Sequence, residues 1–206
     1  ILISGMPLMI NEALWASGTT TINQCYSLKG LNVVSATNIS QTFWNLFAVV
    51  FMAVGISIGI KVGQLLGASE FDKAKDTAYK MMAFSVSLGV LVGALYFAFS
   101  GLIPQFYKTN DDVKQIATNL IMVSAVFMPI SAFVHTSYFT LRSGGKVILT
   151  FLFDSLFVWC ITVPVAFVLS RYSAISIIPM FAVCQAVDLI KVVAGFILIK
   201  KGVWIN

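Results

Sequence analysis

Charge is what this sequence lacks most. Only 10% of its 206 residues are charged and 59% are hydrophobic, against about 25% and ~45–50% in soluble chains, and the mean hydropathy is +0.93. That scarcity excludes a soluble enzyme, a disordered chain and a nucleic-acid-binding surface. Histidine occurs once, at His135, and Cys25, Cys160 and Cys184 stand far apart in no metal or redox spacing, so the cysteines carry no functional signal. No G-x-x-x-x-G-K-[ST] signature appears, so no bound cofactor is implied and any work must draw on an ion gradient.

What the chain has instead is long apolar runs. Gly30–Ile60, Met81–Tyr107 and Gln115–Leu141 carry no charge, and each exceeds the ~20 residues that cross a hydrocarbon core. They recur too often for one signal anchor. Six spans fit, at 2–23, 35–60, 80–103, 113–141, 147–170 and 173–199, within a single unit covering 1–206. The fold class is all-α, polytopic, because barrel strands are about ten residues of alternating polarity and these runs are not. The chain begins at Ile1 inside apolar sequence, and a longer protein is expected around it.

The net charge of +5 points to no nucleic acid, because the basic residues fall mostly between apolar runs. Lys61, Lys73, Lys75, Lys80, Arg142, Lys146, Lys200 and Lys201 lie in one set of alternate connections, against Lys29, Lys108, Lys114 and Arg171 in the other. The larger set is expected in the cytoplasm, with both chain ends there and the protein multi-pass in the plasma (inner) membrane. After the second span, Ser69-Glu70-Phe71-Asp72 has the form of a capping box that starts an amphipathic cytoplasmic helix. Gly55, Gly59, Gly63 and Gly67 recur every four residues and predict a face that admits another backbone; Gly89 and Gly93 make a shorter version.

Polar residues form stripes. Asn38, Gln41, Thr42 and Asn45 fall on one face of the second span, Ser124, Ser131, His135 and Tyr138 on one face of the fourth, and the first adds Asn11, Glu12, Thr19 and Asn23. Unpartnered amides facing lipid are costly, so these stripes meet other helices or line a hydrated cavity. Glu12 is the sharpest of them. A start near Ile1 puts it ~16 Å into a ~30 Å core, where a carboxylate is a functional-site hypothesis by default. Burial there disfavours the charged form, so Glu12 is a candidate to bind and release a proton or share a cation, with Asn11 beside it. Pro7 adds the expectation of a kink one turn earlier. Asp154 and Lys191 lie at similar depth and can pair, with Asp188 as a competing partner for Lys191, which describes a neutralised ion pair or triad. A lone His135 facing other helices reads first as a hydrogen-bonding partner.

Three segments together resemble a known family. Pro7–Trp15 (PLMINEALW), Gly59–Ala78 with Gly63-Gln64-Leu65-Leu66-Gly67, and Leu141–Gly145 (LRSGG) are similar to the multidrug and toxic compound extrusion (MATE) transporters. The likeness covers nearly the whole chain but only half of such a protein: the second of two six-helix lobes related by a pseudo-two-fold axis, helices seven to twelve. It implies a secondary antiporter that exports amphipathic, often cationic organic compounds against inward Na⁺ or H⁺ flow, with a first six-helix lobe as partner. Glu12 matches the acidic residue that the family uses on helix seven for cation coupling or substrate contact. This sequence departs on helix ten, where Ser131 stands at the aspartate of the Na⁺-binding branch and Phe127 at its tyrosine, and both coupling ions stay open.

Two other transport readings keep the chemistry: a flippase for lipid-linked saccharide, which calls for a more basic cavity, and a six-helix protein that dimerises around two copies of Glu12. A different class is a rhomboid-like serine protease, with Ser17 in Ala16-Ser17-Gly18 and His135 as a dyad. No oxyanion-hole arrangement accompanies those residues.

Overall fold

A backbone in hydrocarbon must satisfy its own hydrogen bonds, and a helix does so within one segment. The computed structural model describes residues 2–205, and no strand occurs among them. The helices are α1 (Leu2–Ser27), α2 (Leu31–Gly67), α3 (Phe71–Ala98), α4 (Asp111–Ser143), α5 (Val147–Phe151), α6 (Val163–Tyr172), α7 (Ile177–Ala186) and α8 (Asp188–Lys200). Segments α5 and α6 belong to one 25-residue membrane helix, and α7 and α8 to one of 24 residues. Among the described residues five helices are long and apolar enough to cross a membrane. The 26-residue α1 reaches the length but is diluted by Asn11, Glu12, Thr19–Thr21, Asn23 and Gln24.

The connection after α2 differs from the expected capping box. Ser69 adopts a positive φ of 61°, its N–H donates to Leu66 O, and the Glu70 N–H donates to Leu65 O. That pair of bonds is the Schellman closure of α2, with Ser69 in the left-handed position after its C-cap. Glu70 precedes α3 without a side-chain cap. The amphipathic segment and the third span are one continuous helix, with Asp76 and Lys80 paired at 2.6 Å on its exposed face. Helix α1 also runs on through Pro7.

Helices α2 and α3 pack most extensively on α4, α7 and α8 pack on it as well, and α1 packs mainly on α6. The core contacts of α4 include Leu120, Ile121, Met128 and Leu141, all fully buried. Close backbone approach occurs at Gly89 and Gly93 of α3, where a Cβ would lie 3.1 Å from Pro129 Cα and 2.7 Å from the Ala125 carbonyl oxygen. The longer glycine series on α2 works differently. Gly55 and Gly59 receive the ring of Phe139 rather than a backbone, and Gly63 and Gly67 face open space.

Two wide π-helical turns, Leu152–Leu156 and Val158–Thr162, separate α5 from α6. Pro164 follows at once; it has no N–H to donate and its ring crowds the carbonyl one turn earlier, so the regular ladder gives way there. This irregular stretch packs on α1, where a Cβ on Gly18 would meet Val158 Cγ1 at 2.6 Å.

Candidate functional site: an intramembrane charge network

Asn11 is the buried anchor. Its side chain is 2% exposed; Nδ2 donates to Tyr138 Oη at 3.2 Å, and Oδ1 lies 2.6 Å from the Ser155 hydroxyl, which also stands 2.7 Å from the Asn11 carbonyl oxygen. An amide in this position needs both a donor and an acceptor as partners. It finds them on two other helices. One residue further, Glu12 turns outward: Tyr138 Oη donates to Glu12 Oε1 at 3.3 Å, and Arg142 Nη1 stands 3.6 Å from the same oxygen.

Tyr138 and Arg142 are four apart on α4 and share a face. The Arg142 guanidinium carbon lies 5.9 Å from the Tyr138 ring centroid and 6.0 Å from that of Phe139. These partners come from the last two turns of α4, so the Glu12 carboxylate sits toward that end of the bundle rather than sealed at mid-depth. Its side chain is 55% exposed on the surface of this lobe.

The π-turn that contains Ser155 also carries Asp154. Asp154 Oδ1 lies 3.9 Å from Lys191 Nζ, and Asp188 Oδ1 lies 3.7 Å from it. Lys191 is 6% exposed, and its ammonium lies 4.9 Å from the Phe157 ring centroid. The expected triad is therefore formed. A buried lysine between two carboxylates and an aromatic face is compensated on three sides. Through neighbouring Ser155 and Asp154, the triad adjoins the Asn11–Tyr138–Glu12 chain.

Other candidate residues stay apart from this network. Asn38, Gln41, Thr42 and Asn45 are exposed on α2. Gln41 Nε2 donates to Asn45 Oδ1 at 3.2 Å and Thr42 Oγ1 to the Asn38 carbonyl at 2.8 Å, so that stripe satisfies itself along the helix. The Ser131 hydroxyl donates to Phe127 O. His135 is half-buried, with ring contacts to Phe51 and Phe139 rather than a polar partner.

The sequence reading missed Arg142 as a site residue, treating it as an orientation marker, and it missed Ser155 and Phe157. Ser155 and Phe157 had a faint signal: each lies within three residues of Asp154 on the same span. Trp159 also ties this segment to α1, its indole N–H donating to Leu14 O at 2.9 Å.

Apolar helices around buried charges define a multi-pass α-helical membrane protein of the kind built about an intramembrane polar site. The family profile of MatE matches residues 7–168, and the chain belongs to that family. Among curated relatives it is 25% identical over 174 residues to the probable multidrug resistance protein YoeA of Bacillus subtilis, covering 84% of this chain and 38% of that protein. It is also 25% identical over 123 residues to the multidrug resistance protein NorM of Aliivibrio fischeri, covering 60% and 27%. The chain thus spans about two fifths or less of the length of these relatives.

Solved structures share the fold. A MOP superfamily transporter from Pyrococcus furiosus, described as having a binding pocket of reverse polarity that suggests a different function, superposes with a TM-score of 0.81 at 14% identity, over 94% of this chain and 43% of that one. An outward-facing multidrug resistance MATE family transporter superposes at 0.76 with 16% identity, over 95% and 42%.

Proposed function

We propose that this chain forms one lobe, helices seven to twelve, of a cation-coupled antiporter that exports amphipathic and cationic organic compounds. One observation carries the reading. Glu12 is open to the surface of the lobe, yet hydrogen-bonded through Tyr138 and Asn11 to the buried interior. A carboxylate so held can exchange a cation with water on one side and report its occupancy to the helices on the other. The neutral side chains exposed on α2, Asn38, Gln41, Thr42 and Asn45, suit a separate stretch of hydrated wall that a first six-helix lobe would complete. The names of the curated relatives supply the drug-export class.

The coupling ion in this proposal is Na⁺ or H⁺, no other cofactor takes part, and the protein is not an enzyme. Position 131 brings a serine, so Glu12 is the acidic ligand that this face offers. We place the protein in the plasma membrane with both ends of this chain in the cytoplasm, following its basic connections. The saccharide-flippase alternative calls for a basic wall, whereas here Arg142 stands beside the Glu12 carboxylate with the neutral side chains of Tyr138 and Asn11 next to them. For the protease alternative, the Ser17 hydroxyl is engaged with Leu14 O at 2.8 Å and His135 lies against two aromatic rings.

In a pump-deficient strain expressing the full-length protein, Glu12→Gln should raise accumulation of a cationic dye to near the level of cells without the pump. Unchanged efflux at equal expression would remove Glu12 from the mechanism.

A further inference from the structure

A second feature lies away from the charge network. Tyr79, Met82, Ala83 and Val86 of α3, Phe133 of α4, and Phe196 and Ile199 of α8 line a groove of about 370 Å³. On α3 those residues follow the i, i+3, i+4, i+7 spacing of one helix face. Phe133 is two residues from His135, which turns it to the opposite side of α4 from the polar stripe. Met82 and Ile199 form a buried floor, while Tyr79, Ala83 and Phe196 are exposed at the rim. Apart from the Tyr79 phenol and the Met82 thioether the lining is hydrocarbon or phenyl.

The end of the groove is basic. It opens where α3 begins and α8 ends, and the Lys200 ammonium lies 5.9 Å from the ring centroid of the groove-lining Phe196. Lys75 stands one turn before Tyr79, and Lys201 follows Lys200. Of the acids at this end, Glu70 is paired with Lys73 at 3.0 Å and Asp76 with Lys80 at 2.6 Å, and Asp72 lies in the first turn of α3. Among the described residues no carboxylate pairs with Lys75, Lys200 or Lys201.

We propose that this groove is a binding site for an anionic glycerophospholipid, one acyl chain lying along Val86, Met82 and Phe133 and the phosphate held by Lys200 beside the Tyr79 hydroxyl. Apolar lining and unpaired cations at one end match the two halves of such a lipid. The same cations disfavour a cationic drug, which separates this site from the transport face. A zwitterionic lipid offers the same chains without the net charge.

The test is native mass spectrometry of the full-length protein in detergent, with dioleoyl phosphatidylglycerol or dioleoyl phosphatidylcholine added at equal concentration. Retention of phosphatidylglycerol should exceed that of phosphatidylcholine by about fivefold, the factor given by ~1 kcal/mol per lysine at an anionic surface. Lys200→Gln should abolish that preference while leaving the weaker retention in place. Ala83→Trp, which fills the groove from its exposed rim, should lose both lipids. Equal retention of the two lipids, or a preference that survives Lys200→Gln, overturns the proposal. So does a second copy of the chain bound in wild type and lost in Ala83→Trp, which would assign the groove to a protein partner.

Discussion

Lys191 shows how a single buried charge is made tolerable. It is 6% exposed, and taking an ammonium out of water costs several kcal/mol unless partners surround it. Asp154, Asp188 and the Phe157 ring are those partners. Lys191→Met should therefore destabilise the full-length protein in detergent by about 3–5 kcal/mol, because it leaves two carboxylates facing one another without their cation. Adding Asp154→Asn and Asp188→Asn should recover most of that loss in a thermal melt. Equal melting of the single and triple variants would mean that the triad is not an energetic unit.

At this scale the charged residues were legible in the sequence, since an acid or a lysine inside an apolar run has few alternatives to a partner. Arg142 was not, because a basic residue at the end of a span looks the same whether it faces water or reaches back toward Glu12. Nor did the stripes disclose which of their members would meet. Asn11 and Tyr138 do, whereas Asn38, Gln41, Thr42 and Asn45 bond along their own helix.

Among the elements, helix ends and helix contacts depend on backbone geometry that residue types only partly encode. Ser69 belongs to the end of α2, where it takes a left-handed conformation that costs an L residue roughly 1–2 kcal/mol. Ser-Glu-Phe-Asp suits a capping box equally well, so the pattern alone could not choose between ending one helix and starting the next. Ser69→Gly should stabilise the protein by roughly 0.5–1 kcal/mol, the relief of that strain less the entropy glycine loses on folding. A lower melting temperature would contradict the assignment.

Glycine spacing was equally ambiguous: four glycines at intervals of four residues on α2 promised more than two on α3, and the structure reverses the order. The reason is that α3 lies directly against the α4 backbone, whereas α2 accommodates the Phe139 ring. Gly93→Leu should cost about 1–3 kcal/mol or more by overpacking against Ala125 and Met128. Gly63→Ala, by contrast, should be neutral or gain up to about 1 kcal/mol from helix propensity. Comparable losses at both positions would show that the two helix faces are packed alike.

For the whole molecule, composition carried most of the weight. Among the described residues, five helices long and apolar enough to span and large exposed side chains such as Leu91 and Val126 are what a lipid-facing surface requires. What composition could not convey is asymmetry. Around Glu12 the lobe is polar and charged, while the groove beside Phe133 and Phe196 is apolar with a basic end. The fifth span also hides its π-turns from any periodicity reading, although Pro164 marks where the ladder fails. That irregular stretch brings Asp154 and Ser155 together beside Asn11.

In the proposed mechanism Glu12 links ion occupancy to the buried network. The most direct test is gradient-driven flux in proteoliposomes of the full-length protein, loaded with a cationic dye and subjected in turn to inward Na⁺ and H⁺ gradients. Wild type should expel dye faster under one of the two gradients. Glu12→Gln should retain dye binding while its flux no longer responds to either. Gradient-dependent flux of wild-type size in Glu12→Gln would contradict the account and move the coupling site elsewhere in the protein.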